Sequence, residues 1–197
     1  MKKPKNLSLP FDLTTKESTI YRYFERQIKK GIYFLGDEIY LNSQKINDYY
    51  SQQQRLSGFT HLVGLKNTQK YKPKICISTS EYPNCNEKTR CGTIQNRIFC
   101  LFRARRIKWF FEILDLINNG NFKYIKAFKK FNNRKKNYLT YIRYRENFKV
   151  DYLIILSENT NTTRFKYTLV SAHQIVEPHL DQFLKNEYCN FQNQVII

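Results

Sequence analysis

An α+β fold, with helices segregated from an antiparallel sheet, is what the order of patterns along this 197-residue chain predicts. Three observations carry that prediction. Helix-period apolar spacing recurs through residues 14–56, and a denser helix-period stretch starts at Arg103. Four strand-like runs joined by short connections then follow, and such connections between consecutive strands imply an antiparallel meander.

Taken in order, Thr14 is the expected N-cap of the first helix, with Glu17 three residues on. Ile20, Tyr23, Phe24 and Ile28 share one face, and Gly31 stops the helix. Ser43 to Leu56 reads as a surface helix with Ile46, Tyr49 and Tyr50 on one side. Residues 58–66 and 73–79 read as short strands, 80–96 as a loop, and Arg97 to Phe102 as a longer strand. From Arg103 the period is helical. Ile107, Phe110, Phe111, Leu114 and Ile117 form a face that Trp109, Ile113 and Leu116 widen, so this helix should be largely buried. The meander strands are Phe122–Phe131, Tyr138–Arg145, Val150–Leu156 and Phe165–Val176, separated by Asn132-Asn133, Glu146-Asn147 and Asn159–Thr162. A last helix runs from Glu177-Pro178 to Tyr188, with proline in its first turn. The expected architecture is N-terminal helices, one buried central helix packed on an antiparallel sheet ending in a four-stranded meander, and a C-terminal helix. Residues 1–56 are either a helical arm or part of the same domain, and 57–197 form the main α+β domain.

Fifteen Tyr and fifteen Phe argue against disorder, and no run of eighteen apolar residues offers a membrane span. The basic start, Met1-Lys2-Lys3-Pro4-Lys5, is not followed by the apolar stretch of a secretory signal. Five cysteines cannot all pair, which fits reduced thiols and a cytoplasmic location. Cys76, Cys85, Cys91 and Cys100 are separated by eight, five and eight residues, without the CxxC spacing of a zinc site. No GxGxxG, GxxxxGK[ST] or HExxH occurs, so neither a metal nor a cofactor is expected.

Net charge is +18, and residues 97–149 alone contribute +12. The Lys excess partly follows a Lys/Asn/Ile/Tyr-rich composition, but the local concentration is the footprint of a polyanion partner. Arg103, Arg105 and Arg106, with Lys108 and Trp109, would stand in the first turns of a helix, where the macrodipole disfavours cations. Two readings compete: a phosphate held by guanidinium forks and helix N–H groups, or the solvated edge of a buried helix. On the meander, Arg143 and Arg145 share a face with Leu139 and Tyr141, and Lys123, Lys126, Lys129, Lys130, Arg134, Lys135 and Lys136 crowd the adjacent strand and turn. Basic groups interleaved with aromatics suit single-stranded nucleic acid. His61, His173 and His179 are the histidines, and Ser171 shares a strand face with His173. Imidazoles suit proton transfer near neutrality.

Three stretches resemble the phage-associated nuclease domains of the barnase–EndoU–colicin–RelE-like superfamily: Arg103-Ala104-Arg105-Arg106-Ile107-Lys108-Trp109, then Asp151-Tyr152-Leu153-Ile154-Ile155-Leu156, then Tyr167-Thr168-Leu169-Val170-Ser171-Ala172-His173 leading into Val176-Glu177-Pro178-His179 and Lys185-Asn186-Glu187-Tyr188. The resemblance covers residues 97–190. It implies a helix packed on an antiparallel sheet, an RNA-cleaving activity, and Arg103, Arg106, Trp109 and Ser171 as site residues. Ser171 stands where the family has threonine, and His173 where an aromatic is usual.

Together these readings give an expected metal-independent ribonuclease of toxin or phage type, cleaving by 2′-oxygen attack on the adjacent phosphate. Arg103 and Arg106 would hold the phosphate, His61 or His173 would move the proton, and Ser171 would orient the phosphate or the base. Arg105, Lys108, Trp109, Arg143, Arg145 and Lys135 would bind the nucleic acid. The alternatives are a non-catalytic RNA- or DNA-binding module on the same fold, and a chain whose basic face meets a small acidic inhibitor protein.

Overall fold

The computed structural model describes residues 6–12, 14–48, 53–66, 93–94, 97–147, 150–159, 164–175 and 178–190. Helix α1 spans Glu17–Lys29 and buries Ile20 and Phe24. Its start lies later than the sequence suggests. Thr14 does not cap the helix; its N–H and hydroxyl both bond the Asp12 carboxylate in a local turn. Gly31, at φ +80°, ends the helix with its N–H on the Ile28 carbonyl, a conformation that favours glycine.

Strands β1 (Tyr33–Phe34) and β2 (Asp37–Tyr40) form a hairpin turned by Leu35 and Gly36, both at positive φ. The segment expected as a surface helix is instead a second hairpin, β3 (Lys45–Asp48) with β4 (Gln53–Leu56), pairing Lys45 with Leu56. The first half of the stretch read as a strand over 58–66 is helix α2 (Ser57–Val63), followed by β5 (Gly64–Lys66). Burial of Phe59, Leu62 and Val63 overrides the β propensity of that run. Gly58 packs closely there: a Cβ would stand 2.4 Å from Leu41 Cδ2, so that side chain would have to shift to admit one. The strand read at 73–79 lies outside the described residues, as does most of the 80–96 loop. Short strands β6 (Thr93–Ile94) and β7 (Arg97–Phe99) join β5 in a small sheet ordered β5-β7-β6.

The strand expected from Arg97 to Phe102 stops at Phe99. Helix α3 (Leu101–Arg105) begins there and passes through Arg106 into α4 (Ile107–Asn118). Helix α4 buries Ile107, Trp109, Phe110, Phe111, Ile113, Leu114 and Ile117, as its period requires. Gly120 closes it: the Asn121 N–H bonds the Leu116 carbonyl and the Gly120 N–H bonds that of Ile117. The meander follows as β8 (Ile125–Asn132), β9 (Asn137–Asn147), β10 (Val150–Glu158) and β11 (Tyr167–Gln174), and α5 (Pro178–Asn190) comes last.

The main sheet has six strands in the order β1-β2-β11-β10-β9-β8. It is mixed rather than purely antiparallel, because β2 runs parallel to β11 through Ile39–Tyr167 and Tyr40–Thr168. Residues 17–40 thus belong to the same core and the same sheet as the meander. Alternation assigns the two faces. Ile142, Tyr144, Tyr152, Ile154 and Ala172 join the core beneath α4 and α1. Leu153 and Phe128 point the other way and pack with Leu184 of α5, with Tyr141 and Ile155 beside them. Register places Ser171 opposite Ile155 and His173 opposite Leu153, on this second face. Among the described residues no helix is long and apolar enough to cross a membrane.

Candidate active site at the edge of β11

The Arg-rich motif does not converge on one surface. Helix α3 starts at Leu101, so Arg103 and Arg105 occupy its last turn, where the macrodipole favours cations. The expected conflict with the dipole is removed for these two and persists at Arg106 and Lys108, the N-cap and first turn of α4. Arg106 is 1% exposed, lies 3.7 Å from the Phe102 ring centroid, and donates from Nη1 to the Phe102 carbonyl at 3.2 Å. It is a packed residue rather than a phosphate ligand. Arg105 donates from Nε to the Phe11 carbonyl, Lys108 Nζ lies 4.0 Å from the Phe11 ring centroid, and the buried Trp109 donates from Nε1 to the Ser8 carbonyl at 2.9 Å. Three of the five motif side chains therefore hold the Ser8–Phe11 segment along α3 and α4. Trp109 also meets Tyr152 edge to face, which makes it core and takes it out of the nucleic-acid set.

Arg103 differs from its neighbours. It is half-buried, and its charge acts on Tyr152 and His173. His173 Nδ1 lies 3.0 Å from Ser171 Oγ. Burial, with the Arg103 charge added, pushes the His173 imidazole down to about 3, so it is neutral at physiological pH. On the outer edge of the same strand, His61 Nε2 lies 2.5 Å from the Val170 carbonyl. A carbonyl only accepts, so Nε2 carries the hydrogen and proton exchange falls to Nδ1. Helix α2 brings His61 there because β2 covers β11 only at Tyr167 and Thr168, leaving the rest of that edge to α2. Three separate segments thus contribute around β11: His61 of α2 is seated on the Val170 carbonyl, the Arg103 charge of α3 acts on His173, and Ser171 bonds His173 on the strand itself. His179, in the first turn of α5, is exposed.

The meander arginines have partners that the sequence reading missed. Arg143 is buried and donates from Nε and Nη2 to both oxygens of Asp151, at 2.8 and 2.5 Å, and also to Asp181. Burial alone would lower its pKa, but those two carboxylates raise it. Arg145 reaches Asp181 at 3.0 Å and Asp151 at 3.4 Å. Arg143 is therefore a structural arginine locking α5 to the sheet, not an open RNA contact. Asp151 opposite Arg145 across β9–β10 was legible from the short turn between them. Asp181 was not. Lys135 is exposed in the β8–β9 turn, where its N–H bonds the Asn132 side chain.

Among the described residues no three His, Cys, Asp or Glu side chains gather as a metal site; Cys100 is buried and Cys189 is exposed. The chain matches no known family, no characterised protein and no solved structure.

Proposed function

We propose that this protein is a ribonuclease that needs no metal and cleaves by 2′-oxygen attack at the β11 edge. The observation that supports this reading is the Ser171–His173 pair on β11, with His61 seated on the nearby Val170 carbonyl and the Arg103 charge acting on His173. In this scheme Arg103 holds the scissile phosphate. The neutral His173 takes the 2′-hydroxyl proton while the 2′-oxygen bonds phosphorus, and His61 delivers a proton to the leaving 5′-oxygen. The products are a 2′,3′-cyclic phosphate and a free 5′-hydroxyl. Ser171 orients the His173 ring from its Nδ1 side. Burial is the larger cause of the depressed His173 pKa and the Arg103 charge the smaller; an anion docked on Arg103 offsets the smaller one, so the substrate raises the proton affinity of the base in part. Of the four site residues expected from the nuclease-like motifs, the scheme keeps Arg103 and Ser171 and reassigns Arg106 and Trp109 to packing.

The test is incubation with total RNA and with 2′-deoxy oligonucleotides in EDTA. Cleavage is expected to survive EDTA, to require the 2′-hydroxyl, and to fall by about a hundredfold in Arg103→Ala. Binding without product would overturn the scheme in favour of a non-catalytic RNA-binding module. An acidic inhibitor protein would then have no activity to block.

A further inference from the structure

Between β8, β9 and α5 lies a groove of about 320 Å³, on the same sheet face as His173 and two strands across from it. Its walls carry Lys123, Lys126, Arg143, Arg145 and Lys185, with Tyr124 and Tyr188 among its aromatics. The cations fall into two sets. Arg143, Arg145 and Lys185 are neutralised from behind, since Asp181 meets all three and Asp151 meets both arginines. Lys123 and Lys126 are exposed and meet no carboxylate among the described residues. Each sits on an aromatic ring instead: Lys123 Nζ is 5.6 Å from the Tyr124 centroid and Lys126 Nζ is 4.4 Å from that of Tyr188. Five cations against two carboxylates leave the groove at +3.

We propose that this groove holds one nucleotide unit of a single-stranded RNA, its phosphate on Lys123 and Lys126 and its base against Tyr188. The volume falls in the range of small-ligand sites. Ammonium groups poised beside π-faces are the pairing that single-strand binding uses, because every base has a face and every nucleotide a charge. The ion-paired arginines serve as a rigid floor, fixed in place before any ligand arrives. The inference rests on RNA as the partner proposed above but not on cleavage, since it concerns holding rather than cutting.

The experiment uses the full chain and a fluorescein-labelled hexamer of 2′-O-methyluridine, which has no 2′-hydroxyl to attack, so binding is read whether or not the β11 edge is active. Anisotropy titrations at several salt concentrations are expected to show saturable binding. Lys123→Glu/Lys126→Glu should bind at least tenfold more weakly, with the salt slope reduced by about 0.7, the one phosphate that the two lysines share on a single strand. Tyr188→Leu keeps the apolar bulk and should weaken binding with the slope unchanged. Lys29→Glu/Lys30→Glu, the same charge change at the exposed end of α1, should bind as wild type. The exposed Cys189 thiol lines the groove, so peptide-level alkylation there should slow when the hexamer is bound. A free uridine monophosphate arm separates the two sources of this chemistry: competition by the monomer assigns the groove to free nucleotide, and its failure with hexamer binding intact assigns it to a chain. Absent hexamer binding, wild-type affinity in the Lys123/Lys126 variant, or equal loss in the α1 control would overturn the proposal.

Discussion

Replacing His173 with glutamine should flatten the acid limb of the stability curve. The folded imidazole sits at about 3, against an unfolded value of about 6.5. Between those values the unfolded chain holds a proton that the folded chain does not, so stability rises with pH through the window. The contribution is complete above about pH 6.5 and is lost as pH falls toward 3. Going from pH 7.5 to 4.5 covers about two log units of unfolded-state protonation, or about 2.7 kcal/mol at about 1.36 kcal/mol per unit. That figure depends on the unfolded value and the chosen pH, and holds for any folded value below about 4. Urea unfolding of wild type and His173→Gln at the two pH values isolates it, because the carboxylates titrate in both proteins. Wild type should lose about 2.5 kcal/mol more than the variant. A matching NMR titration should find the ring neutral at pH 5, and Arg103→Gln should raise its pKa only in part, since burial comes first among the causes. Parallel stability curves, or an imidazole that titrates above pH 6, would refute the account of a buried, cation-shadowed base.

Two further outcomes separate packing from chemistry. Arg106→Ala should cost about 2–4 kcal/mol in urea unfolding through lost contacts with Phe102 and Trp109, whereas Arg103→Ala should stay within about 1 kcal/mol of wild type and lose activity instead. Arg143→Ala leaves the buried Asp151 carboxylate with only the longer Arg145 contact and should cost about 3 kcal/mol, the low end for breaking a buried pair, read the same way.

Much of the architecture follows from local pattern. The α4 face and the four meander strands are strongly periodic, and their packing agrees with their propensity. Misreadings fell where tertiary burial opposes propensity. Gly58-Phe59-Thr60-His61-Leu62-Val63 looks like a strand, but three apolar side chains and the glycine contact at Leu41 hold it as a helix. Ile46, Tyr49 and Tyr50 have helical spacing, and Ile46 instead lies in a hairpin whose register is set by its partner. The arginine triplet was misplaced because the helix start was set two residues late. With the start at Leu101 rather than Arg103, Arg103 and Arg105 change from opposing a dipole to complementing it, while Arg106 stands at the start of α4. His173 and Ser171 were legible as one-face neighbours from strand alternation. The seating of His61 on the nearby Val170 carbonyl was not, since it depends on how far β2 extends along β11.

The narrow parallel seam between β2 and β11 has a consequence for synthesis. Ile39 and Tyr40 leave the ribosome well over a hundred residues before Tyr167 and Thr168, the partners that complete their sheet. Until β11 emerges, the β1–β2 hairpin has no neighbour on one side, and His61 lacks the Val170 carbonyl that seats it. His173 and Ser171 are also encoded on that late strand. A chain interrupted anywhere before β11 therefore lacks both side chains, and under the proposed scheme it reaches the ribosome exit without a site to assemble.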